Sequence, residues 1–467
     1  MGTTMKTLLT STALTVTLAG AALAETLLVT DASEAAINEA LTAAAASDSA
    51  TRVVLAFEGD VEIADTLSYD GRSALALIGN GQTLSTANNV TVLAATDGAD
   101  LHVVGLTLAG PGGFTVENRG DLDGAAGKGI FVDLRDDQTG TVSLVAEDVT
   151  VRGVANHGIH VSDCTLADDC GGGQSGEGGG SEAGISVTLR DVTVEDAGNG
   201  KFDADGLRVD ERAGGGVTAM ITGSTFTAVG ADGIELDEGG AGDVVATLID
   251  SRMVENGAYC APALFEDALP VPAEAEFAEG ETAASDIPGP VTGTADDGCV
   301  EREVELHDDG SVEAYEFGID LDDGIDFDEG DAGSIHAIFL GSTISRNLDE
   351  GVDFDEAGDG HIDVRFIDTM AEGNNDDGYK NSEEGAGSVT GVMLRASARD
   401  NGGKGAVFEE EGDGDVVVHA EASATANNDD GDGTGIEAVQ EDAGTGSLTL
   451  VDSDIADGTD LEGVEVN

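Results

Sequence analysis

Two sets of residues have the types and spacing for chemistry. The first is Lys128, His157, His160, Asp205 and Arg208, with Lys201 close by in sequence. Counted from Gly129, Gly158, Gly206 and Gly233, the residues Lys128, His157, Asp205 and Asp232 stand one position before the glycine. His160, Arg208 and Glu235 stand two after it. Side chains alternate across a strand, so these positions point to one outward face. A base, a cation able to hold a uronate carboxylate, and carboxylic acids are what β-elimination or hydrolysis of a polysaccharide requires. The second set is carboxylate only: Asp237-Glu238, Asp328-Glu329 and Asp355-Glu356. Oxygen ligands of this kind, beside glycine-rich turns that let backbone carbonyls converge, suit calcium. The competing reading is a solvated acidic surface with diffuse counterions. Lys380 and Lys404 interrupt the acidic columns and neutralise them locally.

Both sets belong to one repeat. Asp322-Asp323-Gly324-Ile325-Asp326-Phe327-Asp328-Glu329 returns 27 residues later as Asp349-Glu350-Gly351-Val352-Asp353-Phe354-Asp355-Glu356. Gly378 and Gly405 continue the step, and Gly206 and Gly233 show it upstream. Five residues after each of these glycines stands a glutamate: Glu211, Glu238, Glu329, Glu356, Glu383 and Glu410. Apolar positions such as Val209, Leu236, Phe327 and Phe354 alternate with polar ones, which predicts short strands rather than helices. Such a unit buries its apolar face only by stacking on its neighbour, and the architecture that follows is all-β: a parallel β-helix with coils of about 27 residues. Equivalent side chains of adjacent coils then lie about 4.8 Å apart. A nine-residue toxin-type repeat also divides the period, and Gly412-Asp413-Gly414-Asp415 fits it, but the thirds of each coil do not resemble one another.

The register sets the domain organisation. A solenoid grows in one dimension, so the 467 residues form a single domain over 25–467. Two segments break the period: a Gly- and Ser-rich insertion at about 164–184 and a longer one at about 258–319 that holds five of the chain's six prolines. The longer one reads as a partly disordered excursion held at its base by Cys260 and Cys299. Cys164 with Cys170, and Cys260 with Cys299, are the simplest of three disulfide pairings in an oxidising compartment. Asp31 to Ala46 predicts an amphipathic helix that covers the first coil and blocks strand addition there. Asn347, Asn374 and Asn401 recur four residues before successive glycines and stack at a corner.

Composition narrows the partners. The chain has 19 Lys and Arg against 94 Asp and Glu, a formal charge of −75, which excludes nucleic acid and anionic membranes. It has no Trp and few Tyr, so aromatic platforms for sugar rings are scarce. Residues 1–24 read as a secretory signal peptide: Lys6, an apolar run from Leu8 to Gly20, and Ala22-Leu23-Ala24 before the cut. No stretch reaches transmembrane length. The expected location is secreted or periplasmic, and the expected state is a monomer.

The phrase Leu77-Ile78-Gly79-Asn80-Gly81-Gln82-Thr83-Leu84 resembles the early coils of the pectate-lyase-like right-handed parallel β-helix superfamily. The resemblance covers most of the mature chain in pattern, and it implies a right-handed coil of three parallel sheets. That superfamily is rich in polysaccharide lyases, hydrolases and epimerases, but one fold hosts many functions. Asn156-His157-Gly158 resembles part of the polygalacturonase pattern, whose paired aspartates and Arg-x-Lys element are not found here in order. The function expected is therefore an exported, calcium-binding β-helix serving as a binding or structural element at the cell surface or matrix. The alternative is a polysaccharide lyase or glycoside hydrolase on the face carrying His157 and Arg208, with an extracellular polysaccharide as partner.

Overall fold

The computed structural model describes residues 25–114, 127–163, 180–265, 269–291, 298–307, 309–428 and 433–467. The expected signal peptide and the Cys164–Cys170 pairing lie outside the described residues. No helix among them is long and apolar enough to cross a membrane.

The chain is a parallel β-helix. It opens with a strand, Glu25–Val29, and then the expected helix, α1, over Glu34–Ala45. The Ser33 hydroxyl caps α1 by accepting the N–H of Ala36, and Ile37, Leu41 and Ala44 pack against the first coil. Beyond α1 every coil contributes strands to stacked faces. One face is a continuous parallel sheet of 12 strands from Leu67–Tyr69 to Thr459–Glu462. A second face is built of six-residue strands, where Val217, Val244, Ile335, Ile362, Val389 and Val416 stand in register. The third face has three-residue strands such as Thr225–Thr227 and Thr343–Ser345. In the early coils long strands such as Leu75–Thr86 and Thr139–Arg152 run through both the second and third faces.

Inward positions fill the tube with apolar side chains, and the aromatic ones stack along it. The Phe327 and Phe354 rings lie 4.6 Å apart and nearly parallel, and Phe366 stacks on Tyr379 at 4.1 Å. At one corner the asparagines form the expected ladder. Asn256, Asn347, Asn374 and Asn401 each donate from Nδ2 to Oδ1 of the next at 2.9–3.1 Å, and Asn428 ends the row on Asp457. An amide suits such a column because it both donates and accepts.

The longer insertion loops out without disturbing the stack: Val244 pairs directly with Ile335 and Arg252 with Thr343. Its described residues carry an antiparallel sheet of Ala275–Glu276, Val312–Glu316 and Glu303–Leu306. They also carry a small core of Ile287, Val312, Tyr315 and Phe317. Prolines dominate its sequence, but these few alternating apolar residues are enough to close a core of their own. Cys260 and Cys299 are disulfide-bonded at its base, as expected.

Coils stack so closely at one turn that only hydrogen fits between them. A Cβ on Gly360 would lie 1.5 Å from the Gly333 carbonyl oxygen, and one on Gly387 equally close to Gly360. We predict that Gly360→Ala destabilises the protein by about 3 kcal/mol or more. Gly289→Ala, where a Cβ meets nothing within 4 Å, stays within about 0.5 kcal/mol. Urea melts of both variants check the pair.

Candidate metal and acid–base face

The outward side of the 12-stranded sheet carries three columns of functional side chains. They are set by strands Ile130–Asp133, Ile159–Ser162, Leu207–Glu211, Ile234–Glu238, Ile325–Glu329 and Asp353–Glu356. Each strand is anchored by inward apolar residues, for example Leu207 and Val209, so the polar residues between them are held rigidly. In register, His160 stands beside Arg208, Arg208 beside Glu235, and Glu235 beside Asp326.

Lys128, His157, His160, Asp205 and Arg208 come together in one buried cluster, each no more than 6% exposed. The Lys128 ammonium sits 4.5 Å above the Phe131 ring. His157 accepts the Asp205 backbone N–H at Nδ1 (3.0 Å), so its proton belongs on Nε2. The two imidazole centroids are 4.5 Å apart. His160 Nε2 meets Asp210 Oδ2 at 2.6 Å. Burial holds the pKa of His157 well below the usual value, with Lys128 and Arg208 adding to it. Burial, Lys128 and His157 bring His160 down to about 3. Both histidines are therefore neutral at physiological pH.

Arg208 is a hub. It donates to Asp210 (2.9 Å) and Asp237 (2.6 Å), contacts Glu235, and lies 3.6 Å from both Asp203 and Asp205. Arg212 adds bonds to Asp210 (3.0 Å) and Asp237 (2.7 Å). Burial would raise the pKa of Asp210, but Arg208, His160 and Arg212 together hold it well below the carboxylate range. Sequence reasoning found Arg208 but missed how completely these carboxylates engage it. It also missed Asp210 and Arg212 as members of the cluster.

Past Arg208 the face turns acidic. Asp232, Glu235 and Asp237 are followed by Asp323, Asp326 and Asp328, then Glu350, Asp353 and Asp355. Lys380 closes this bed at 2.7 Å from Asp353. Carboxylate oxygens converge within 4.8 Å in three groups: Asp203, Asp205 and Glu235; Glu235, Asp326 and Asp328; Asp323, Asp349 and Glu350. Buried Asp237 Oδ1, Asp323 Oδ1 and Asp353 Oδ1 have no hydrogen-bond partner. Burial first, then mutual repulsion, raises Asp326 and Asp328 well above the usual range and Glu350 to about 9. On protein groups alone the bed keeps protons that a cation would replace.

The paired acidic residues read from the sequence divide between two environments. Asp237, Asp328 and Asp355 are on the outward face. Glu238, Glu329 and Glu356 turn into the corner of the coil, at most 1% exposed. There the glutamate column is a ladder. Glu356 Oε1 accepts the N–H groups of Gly358 (2.9 Å) and Gly360 (3.2 Å); Glu383 and Glu410 do the same two and four residues on. Neighbouring carboxyls face each other in register from Glu211 through Glu238, Glu329, Glu356 and Glu383 to Glu410, and one buried oxygen each of Glu211, Glu238, Glu329, Glu356 and Glu383 has no other hydrogen-bond partner. Gln440 stands next in register after Glu410 and donates to its Oε2 (3.1 Å). Two acids facing one another in this way can bond only if a proton lies between them. Burial and then the neighbouring acids raise Glu356 to about 7, Glu383 to about 8 and Glu238 to about 11.

The base of the longer insertion lies beside this face. Tyr259, Cys260, Phe265 and Cys299 pack with Phe202, the residue before Asp203.

The sequence matches no family model and no curated protein. Several solved structures are similar. The mannuronan C-5 epimerase AlgE4 A-module of Azotobacter vinelandii is 12% identical, with 93% of each chain covered and a TM-score of 0.49. The AlgE6 A-module from the same organism is 11% identical over 93% of this chain and 94% of that one, at TM-score 0.42. Pectate lyase Pel9A is 12% identical over 89% and 72%, at TM-score 0.35. These likenesses are of fold, and identities so low carry no activity across.

The ladder predicts an unusual pH dependence. Glu356 and Glu383 bind protons more tightly folded than unfolded, so their contribution is full below about pH 4.5 and is lost as pH rises through about 7 to 8. In chelator at constant ionic strength, stability should fall from pH 5 to pH 9, by about 1.4 kcal/mol per pH unit for each retained proton. Glu383→Gln, which can still donate and accept, should flatten that slope at small cost. Glu383→Leu strands the N–H groups of Gly385 and Gly387 and should cost about 2–5 kcal/mol. Denaturant melts across pH check all three.

Proposed function

We propose that this protein is an exported β-helix that binds calcium on the outward face of its 12-stranded sheet. It would serve as a cation-dependent binding or structural element at the cell surface or matrix. The observation that carries this reading is the convergence of buried carboxylate oxygens at Glu235, Asp326 and Asp328 and at Asp323, Asp349 and Glu350. The donor set is all oxygen, and buried Asp323 Oδ1 lacks a hydrogen-bond partner. Hard divalent cations take such ligands, and calcium accepts six to eight of them in flexible geometry. Asp237, Asp328 and Asp355 share the face, while Glu238, Glu329 and Glu356 would support it from the corner behind. A bound cation would supply the positive charge that the acidic bed lacks. The apolar run from Leu8 to Gly20 followed by Ala22-Leu23-Ala24 and the Cys260–Cys299 disulfide support export.

A second reading rests on the neutral pair His157 and His160 beside Lys128. His160 Nδ1, which has no hydrogen-bond partner, can take a proton from a sugar ring, and Lys128 can stabilise the charge that develops. This is the arrangement a polysaccharide lyase or glycoside hydrolase would use. Arg208 counts against it as a substrate clamp, because carboxylates of the protein already surround its guanidinium.

Thermal melting after chelation tests the first reading. At a hundredfold excess over the dissociation constant, each calcium site adds about 2.7 kcal/mol. Millimolar calcium should therefore raise the melting temperature by several degrees beyond sodium chloride at matched ionic strength. Equal effects of the two salts would leave a diffusely screened acidic surface. Alginate, pectin and neutral glycans should show no turnover; turnover abolished by His157→Ala, with calcium stabilisation intact, would establish the second reading.

A further inference from the structure

The second face of the coil has a different character from the rest of this acidic chain. Five adjacent strands, Val217–Thr222, Val244–Ile249, Ile335–Leu340, Ile362–Ile367 and Val389–Leu394, present fifteen outward positions. Asp363 is the single carboxylate among them, and it is ion-paired with Arg365 at 3.1 Å. The patch is therefore formally neutral in a chain of charge −75. Its outward side chains are mostly aliphatic: Met220 and Ile338 stand in the middle of their strands, and Ile249, Leu340, Ile367 and Leu394 at the strand ends. Met220, Ile338 and Leu340 are each 38–39% exposed. Register lines Ile249, Leu340, Ile367 and Leu394 into one unbroken row.

We propose that this face is the interface between two copies of the chain. A contiguous apolar surface of this extent marks a contact site rather than ordinary surface. Elsewhere, two copies of charge −75 would bring carboxylates against carboxylates, whereas here the charge is balanced and long-range repulsion alone opposes contact. The size also fits. Five strands cover about 24 by 20 Å, and the next two, Val416–Glu421 and Gly446–Val451, extend this to about 34 by 20 Å and add one outward carboxylate, Glu421, 3.6 Å from His419. That is about 700 Å² before side-chain relief, against about 800 Å² per partner in an interface of standard size. A two-fold arrangement sets each aliphatic row against an equally flat row. It also allows Asp363 of one copy to meet Arg365 of the other. The proposal replaces the monomer expected from the sequence.

Sedimentation velocity of the mature chain, in low salt and in 0.5 M sodium chloride, tests the proposal. The expected result is a species of doubled mass, favoured at least tenfold by the higher salt because screening weakens the overall repulsion. Ile338→Asp and Leu340→Asp, shown folded by circular dichroism, should each return it to single mass. Val271→Asp, a fully exposed apolar site on the insertion, should leave the dimer unchanged. A wild-type chain of single mass at 100 µM in both salts would overturn the proposal, as would a dimer that both aspartate variants retain.

Discussion

Everything in this molecule follows from the stacking of one coil on the next at about 4.8 Å. A residue type that recurs with the coil becomes a column, and the chemistry of the column is that of one side chain against its own copy. Aliphatic and phenyl groups stack without difficulty, as Phe327 does on Phe354. Asparagine does so because its amide is both donor and acceptor. Carboxylates are the exception, since like charges at this spacing repel. A chain with 94 acidic residues must meet that problem repeatedly.

It meets it in three ways. In the corner, the row is bonded to turn N–H groups, burial raises Glu238, Glu356 and Glu383 so that they hold protons, and Gln440 ends it with an amide. On the outward face, Arg208 and Arg212 neutralise Asp210, Asp237 and their neighbours. Between Arg208 and Lys380 neither the turn N–H groups nor the arginines reach, and the carboxylates of Asp323, Asp326, Asp328 and Glu350 are left gathered around common points. The calcium reading rests on this remainder. The neutral histidines occupy the opposite end of the same face, where burial first, and then positive charge from Lys128, suppresses their protonation.

The period, the capping helix, the asparagine ladder and the assembly of the His157 cluster were all legible in the sequence, because each depends on position within the coil. What was not legible depends on direction at the coil's corner. Glu238, Glu329 and Glu356 follow outward aspartates, so adjacency suggested shared ligands; strand alternation turns them inward instead. A signal was present in the invariant spacing Glu356 to Gly360, Glu383 to Gly387 and Glu410 to Gly414, which marks a carboxyl capping a tight turn. The order within the longer insertion was hidden for another reason. Its small core joins Ile287 to Tyr315 and Phe317, residues too far apart in sequence for a local pattern to reveal.

The central claim is that a divalent cation completes the acidic bed. Anomalous diffraction from crystals of the mature chain grown in calcium tests it most directly. The account predicts peaks between Glu235, Asp326 and Asp328 and between Asp323, Asp349 and Glu350, with carboxylate oxygens at about 2.3–2.6 Å. Both positions empty at millimolar calcium and neutral pH, with the carboxylates bonded to one another through protons, would contradict it.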